Sequence, residues 1–237
     1  MRTSRMAMIV PVVALAFAGL TACGGSEEKS NAGTDAKVLA DEAQKLLKSV
    51  ADYKMVGGGQ DEETKIEWDL CIRNGVDVQG KMVIDGSPVE MVIVGKDQYM
   101  KADEAFWKKS MGESVPPAVL DKVLGKLAGK YMKTLVDEDD SFANMTDFFD
   151  GSTDGVIKGE PVKIDGAKVI PLSKKDDEGE TTTLYVQEKG KPYPFMVKSE
   201  GKGNATAKFT KGKSKCEPTA PAESVTKEDF KREFQDA

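Results

Sequence analysis

There is no histidine among the 237 residues. That removes the commonest general base and the commonest metal ligand. Positive charge is also short: 34 Lys and Arg stand against 40 Asp and Glu, a net charge of −6. A nucleic-acid partner is therefore not expected. The G-x-S-x-G elbow is missing. Ser199-Glu200-Gly201-Lys202 and Ser224-Val225-Thr226-Lys227 each match S-x-x-K, but the S-D-N and K-T-G motifs that would complete such a site are missing too. The acidic runs at 137–140 and 176–180 lack the spacing of a calcium loop and read as solvated loops. Gly57-Gly58-Gly59 lacks the spacing of a phosphate cradle and reads as a hinge. No catalytic residue, no metal site and no cofactor is expected.

What is present is apolar alternation. The composition, 39% hydrophobic and 31% charged, suits a soluble body with one real core or at most two. In residues 65–73, Ile66, Trp68, Leu70 and Ile72 alternate with Lys65, Glu67, Asp69 and Cys71, the period of a half-buried strand. Val76, Val78, Met82 and Ile84 continue the pattern. A loop of Arg73, Asn74 and Gly75 would pair Ile72 with Val76, Leu70 with Val78 and Ile66 with Met82, and set Glu67 against Lys81. A turn at Gly86-Ser87 would pair Ile84 with Val89, Met82 with Met91 and Gly80 with Ile93. Trp68 would then stand beside Gly80. A third turn near Lys96-Asp97 leads to a strand over 98–102.

The rest of the chain supplies helices, then strands. Residues 35–54 read as an amphipathic helix carrying Val38, Leu39, Leu46, Leu47 and Val50. Short helices are expected over 102–109, over 115–126 with Leu120, Leu124 and two prolines at its start, and over 141–149 with Phe142, Met145, Phe148 and Phe149. Strands resume over 156–164, 167–172, 181–186, 192–199 and 204–210, with Tyr193, Phe195 and Val197 on one face. Residues 217–237 form a polar tail; its end carries the signals of one short helix, a Thr226 cap and a staple from Val225 to Phe230, but a helix so short is expected to be marginal in isolation.

The amino terminus reads as a targeting segment. Arg2 and Arg5 precede an uncharged apolar run over 6–20, short for a membrane span. Leu20-Thr21-Ala22-Cys23 resembles the lipobox of bacterial lipoproteins. It implies a signal peptide over 1–22 and a lipidated Cys23 at the outer face of the cell membrane. Residues 23–34 then serve as a flexible tether, 35–216 as the folded domain and 217–237 as the tail. With Cys23 acylated, Cys71 and Cys216 remain as an even pair in an exported protein, and a disulfide joining the first and last strands of the sheet is expected.

Two segments carry a family resemblance. Val94-Gly95-Lys96-Asp97-Gln98-Tyr99-Met100-Lys101-Ala102, followed by Phe106-Trp107, resembles the G-x-x-x-Y-x-K-x…F-W segment of LppX/LprG-type actinobacterial lipoproteins. Leu127-Ala128-Gly129-Lys130-Tyr131-Met132-Lys133 resembles their G-K-W-V segment, with Tyr131 where tryptophan is usual. The order of elements is similar to that family and, more distantly, to the LolA/LolB carriers. The resemblance implies an α+β fold, a curved antiparallel β half-barrel with helices packed across its concave face. It also implies a lipid or glycolipid ligand in an apolar cavity between them, and a monomer. The residues expected to line that cavity are Trp68, Leu70, Val78, Met82, Met91, Ile93, Met100, Leu120, Leu124, Phe148 and Phe195. Flexible thioethers suit irregular apolar ligands.

Periodicity alone does not separate a cavity from a filled core, so a structural or signalling lipoprotein without ligand stands as the alternative. A two-lobed solute-binding lipoprotein is disfavoured, because its strands and helices would alternate.

Overall fold

The computed structural model of the chain describes residues 28–112, 115–136, 148–149, 151–212 and 216–235, with backbone alone for 118 and 232–235. Cys23 and the targeting segment, the acidic run at 137–140, and Phe142 and Met145 lie outside the described residues.

The element order is α1 (Ala36–Ser49), β1 (Asp52–Gln60), β2 (Lys65–Arg73), β3 (Asp77–Ile84), β4 (Ser87–Val94), β5 (Asp97–Ala102), α2 (Glu104–Met111), α3 (Pro117–Leu127) and β6 (Tyr131–Leu135). It continues with β7 (Ile157–Lys158), β8 (Val162–Ile164), β9 (Ala167–Lys175), β10 (Thr181–Gln187), β11 (Pro194–Glu200), β12 (Asn204–Lys211), β13 (Ser224–Thr226) and α4 (Lys227–Gln235). The thirteen strands found among the described residues form one large, open, curved sheet, ordered β13-β6-β5-β4-β3-β2-β1-β12-β11-β10-β9-β7, with β8 pairing β9. All neighbours are antiparallel except β13 and β6. This is the expected fold class.

The register keeps the expected faces but not the expected partners. Ile72 faces Val78, Leu70 faces Gly80, Trp68 faces Met82 and Ile66 faces Ile84. The loop is Asn74-Gly75-Val76, with both Asn74 and Gly75 at positive φ, and Val76 N–H donates to Arg73 O at 3.1 Å. The next turn is Asp85-Gly86, again both at positive φ, so Ile84 faces Ser87, Met82 faces Val89 and Gly80 faces Met91. Each turn moved the pairing by two residues, which leaves every side chain on its predicted face. Lys81 consequently meets Asp69 rather than Glu67.

Gly57, Gly58 and Gly59 are not a hinge. They lie inside β1, between β2 and β12. The helix expected over 35–54 ends at Ser49, because Tyr53 and Met55 belong to this strand and point into the core. A Cβ on Gly57 would lie 2.0 Å from Thr206 O and 2.8 Å from Ala207 Cα. The two backbones approach too closely there for any side chain, and such glycine positions bend a sheet.

One face of the sheet is apolar along its length. Leu70, Val78, Leu172, Leu184 and Val186 on it are fully buried, each contributing about 1.5–3 kcal/mol by burial. Helix α1 closes this face over β7, β10 and β11 with Leu39, Ala40, Ala43 and Leu47. Asp35 caps it, its carboxylate accepting from the Lys37 and Val38 amides. Helices α2, α3 and α4 make a second cluster of Trp107, Val123, Leu124, Leu127, Val225 and Phe230 beside Met100, Ala102 and Met132. The end of the chain is thus built into the fold: β13 pairs β6, and Thr226 and Asp229 cap α4 reciprocally.

Cys71 and Cys216 are bonded, with Cα atoms 5.7 Å apart. The bridge ties the two strands expected, β2 and the end of β12, but they are not the first and last of the sheet, because β1 precedes them and β13 follows. Cys71 is on the convex face of β2, in mid-sheet, and Cys216 follows β12, with β1 between those strands. From there the chain must reach β13 at the sheet edge. It has to pass the convex row Cys71, Gln79, Val92, Tyr99 and Lys133. Val92 and Tyr99 in that row are buried.

Within the expected tether, Asn31 and Ala32 are bonded to the domain. Asn31 N–H donates to Glu188 O at 2.7 Å, and Asn31 Nδ2 donates to Gln187 O at 2.9 Å and Gly190 O at 3.0 Å. Lys158 Nζ donates to Ala32 O at 2.6 Å. The amino-terminal segment is therefore clamped to the loop between β10 and β11.

Candidate functional site

The strand pairings arrange the concave face into cross-strand rows. A deep row holds Phe209, Met55, Leu70, Gly80, Met91, Met100 and Met132. The next holds Leu172, Leu184, Val197, Ala207, Gly57, Trp68, Met82, Val89 and Ala102. The rim row holds Thr182, Ser199, Ala205, Gly59, Ile66 and Ile84. Side-chain volume falls sharply at the middle of the outer two rows, where Ala207, Gly57, Ala205 and Gly59 stand together.

That loss of volume leaves a recess of about 350 Å³, lined by Gly59, Ile66, Trp68, Ala205, Ser199 and Glu180 among others. It lies at the low end of the range for small-molecule sites. Trp68 and Ile66 are half-buried and pack against the main core. Trp68 stands beside Gly57, not Gly80, so an aromatic does lie next to bare backbone, on the other neighbouring strand. Its indole Nε1 is buried and lacks a hydrogen-bond partner. The mouth is polar and acidic. Ser199 Oγ donates to Glu180 Oε1. Asp61 accepts from the amides of Glu63 at 2.8 Å and Thr64 at 2.7 Å, and these bonds hold its carboxyl below the usual range. An apolar floor under a charged lip suits a hydrocarbon with a polar end. Larger hollows on the outer side of α1 and at the β6 edge are lined mainly by charged and polar groups.

The expected cavity residues do not gather at one site. Trp68 lines the recess. Leu70, Val78, Met82, Met91, Ile93 and Phe148 are buried in the main core, the Phe148 ring 5.5 Å from that of Phe209. Met82 also borders a second hollow, of about 330 Å³, with Val89 and Ala102. Leu120 and Leu124 belong to the α2–α4 cluster, and Met100 touches both clusters. Phe195 falls at the bulge between β10 and β11, is half-buried and joins neither cluster. Gly59, Ser199 and Ala205 were missed. Their signal was the triple glycine and the alternation Ala205, Ala207.

Tyr131, the departure from the resembled motif, faces away from the recess. Its hydroxyl donates to Glu90 at 2.7 Å on the convex face. Burial and that bond push its pKa up to about 12. Among the described residues no helix is long and apolar enough to cross a membrane, and no three Cys, Asp or Glu gather as metal ligands.

No family model matches the chain, and no curated protein does. Solved structures do. LprF from Mycobacterium bovis aligns over 79% of this chain and 97% of its own, at 12% identity and a TM-score of 0.54. The Mycobacterium tuberculosis lipoprotein LppX aligns over 78% of this chain and 98% of its own, at 10% identity and a TM-score of 0.51. This chain therefore has the fold of LprF and LppX, an open curved antiparallel sheet with helices on its concave side.

Proposed function

We propose that the protein is a cell-envelope lipoprotein, held by acylated Cys23 at the outer face of the cell membrane, that binds an acyl chain of a lipid or glycolipid and carries it. The observation that carries this reading is the gap in the apolar rim of the concave face at Gly59 and Ala205, beside Ile66 and Trp68. A core built only for stability would fill that gap. The fold shared with a mycobacterial lipoprotein supports the same reading. The site takes a tail along the rim, over Trp68 and Ile66, and leaves the polar end at the acidic lip.

A second reading has its own observation. The deep rows are buried side chain against side chain, as in a tethered structural lipoprotein without ligand. Native mass spectrometry and lipid extraction of the purified protein separate the two. Co-purified acyl chains, lost on filling the rim with Ala205→Phe, support the carrier. Protein that is free of lipid and takes up no added acyl chain supports the structural reading. Cys23→Ala should release the protein from membranes, and retention of that variant contradicts the anchor.

A further inference from the structure

The two ends of the half-barrel carry opposite charge. At one end the described residues place Lys163 and Lys168 about the β8–β9 turn, Lys189 and Lys191 in the β10–β11 loop, Lys208 and Lys211 late in β12, and Lys29 in the clamped segment. All seven are exposed. The carboxylates among them are Glu28, Asp52 at the start of β1 beside the end of β12, Asp165 on Lys208 at 2.5 Å, and the buried Glu188, 3.7 Å from Lys168. Lys163 and Lys168 face each other directly across the β8–β9 pair. Like charges so placed destabilise a sheet, so stability does not explain them. The opposite end, around the recess, carries Asp61, Glu62, Glu63, Asp176, Asp177, Glu178, Glu180 and Glu200, with Lys65, Lys175 and Lys202 among them. The strands between the ends are seven to nine residues long, so roughly 20–30 Å separates them.

The clamp belongs to the basic end. Ser30 bridges Lys189, and Asn31 is bonded into the same loop. Only six residues lie between Cys23 and Ser30, a reach of at most about 25 Å.

We infer that the lysine end is a docking surface for an anionic phospholipid bilayer. It acts as a second membrane contact beside the acyl anchor, and it turns the recess away from the membrane that holds the protein. A lipid tail would then be presented outward. The orientation rests on the anchoring of Cys23 proposed above; the charged surface itself does not.

The test is lysine acetylation footprinting of the full lipidated protein on vesicles of phosphatidylcholine, with and without phosphatidylglycerol. On anionic vesicles Lys163, Lys168, Lys189 and Lys191 should react about tenfold more slowly than on neutral ones. Lys65, Lys175 and Lys202 should react equally on both. High salt should erase the difference, and in the combined variant Lys163→Glu, Lys168→Glu, Lys189→Glu and Lys191→Glu the remaining Lys29, Lys208 and Lys211 should react equally on both vesicles. Equal reactivity of the basic end on both vesicles overturns the inference. So does protection of both ends alike. The full chain carrying Cys23→Ala separates the two readings. If it still shows that protection on anionic vesicles while wild type fails to float with neutral ones, the anchor fails and the surface stands.

Discussion

Substitution of Gly57 by alanine tests how the sheet is bent. A methyl there would meet Thr206 O at 2.0 Å and Ala207 Cα at 2.8 Å, both backbone. Ordinary contact needs about 3.5 Å, so β1 and β12 must part by more than an ångström. Overpacking of this kind costs about 1–3 kcal/mol, and one or two ladder bonds stretched at the seam add about 1 kcal/mol each. The narrower unfolded ensemble of alanine returns about 0.4–1 kcal/mol. The expected net loss is about 2–4 kcal/mol, a fall in Tm of roughly 5–15 °C for a chain of this size. Gly59 is the control two residues along the same strand. Its methyl would meet Ala205 Cβ at 3.1 Å and Asn204 O at 3.2 Å, so Gly59→Ala should stay within about 1 kcal/mol of wild type. Urea titration of both variants decides, read as a change in midpoint at constant slope. If Gly57→Ala proves as stable as Gly59→Ala, the seam is not what forbids a side chain and the account of the bend fails.

Other outcomes follow from the same geometry. Cys71 and Cys216 should take thiol label only after reduction, and the pair changed to serine should lose about 2–5 kcal/mol of stability; label in the unreduced native protein contradicts the bridge. Burial pushes the Tyr53 phenol up to about 12, so the folded state holds that proton more tightly than the unfolded. Its contribution is intact below pH ~10 and falls as pH rises from there to 12, by about 3 kcal/mol. Tyr53→Phe should therefore raise the midpoint of alkaline unfolding, and an unchanged midpoint contradicts the burial argument. Asp229→Ala removes the bonds from Thr226 N–H at 3.0 Å and Thr226 Oγ1 at 2.7 Å. It should cost about 1 kcal/mol and speed amide exchange in α4 while leaving β2 and β3 unchanged; uniform exchange through the chain contradicts that local role.

Much of the sheet was legible because alternation survives a change of register. Ile66, Trp68, Leu70 and Ile72 point inward whether Ile72 meets Val76 or Val78, since both turns shifted by two. The partners were not legible. Asn74 and Asp85 accept a left-handed backbone, and local sequence does not fix where each turn begins. The sequence of β1 reads as helix end and hinge because three glycines carry no apolar pattern; only their close approach to Thr206 and Ile66 shows why they are there. β6 and β13 were passed over because pairing across long sequence separation, Ser224 with Tyr131, leaves no local sign. The candidate site was half legible. Large residues announce a floor, so Trp68 was found, whereas the space itself comes from Gly59 and Ala205, which register as nothing in a search for apolar bulk.

The central claim is that an acyl chain lies along the rim of the concave face. A photoactivatable fatty acid bound to the purified protein, irradiated and mapped by mass spectrometry, tests it most directly. The account predicts adducts on Ile66 and Trp68 and on the 203–205 segment, lost in Ala205→Phe. Adducts confined to the convex face or the α2–α4 cluster, or no adducts at all, would contradict it.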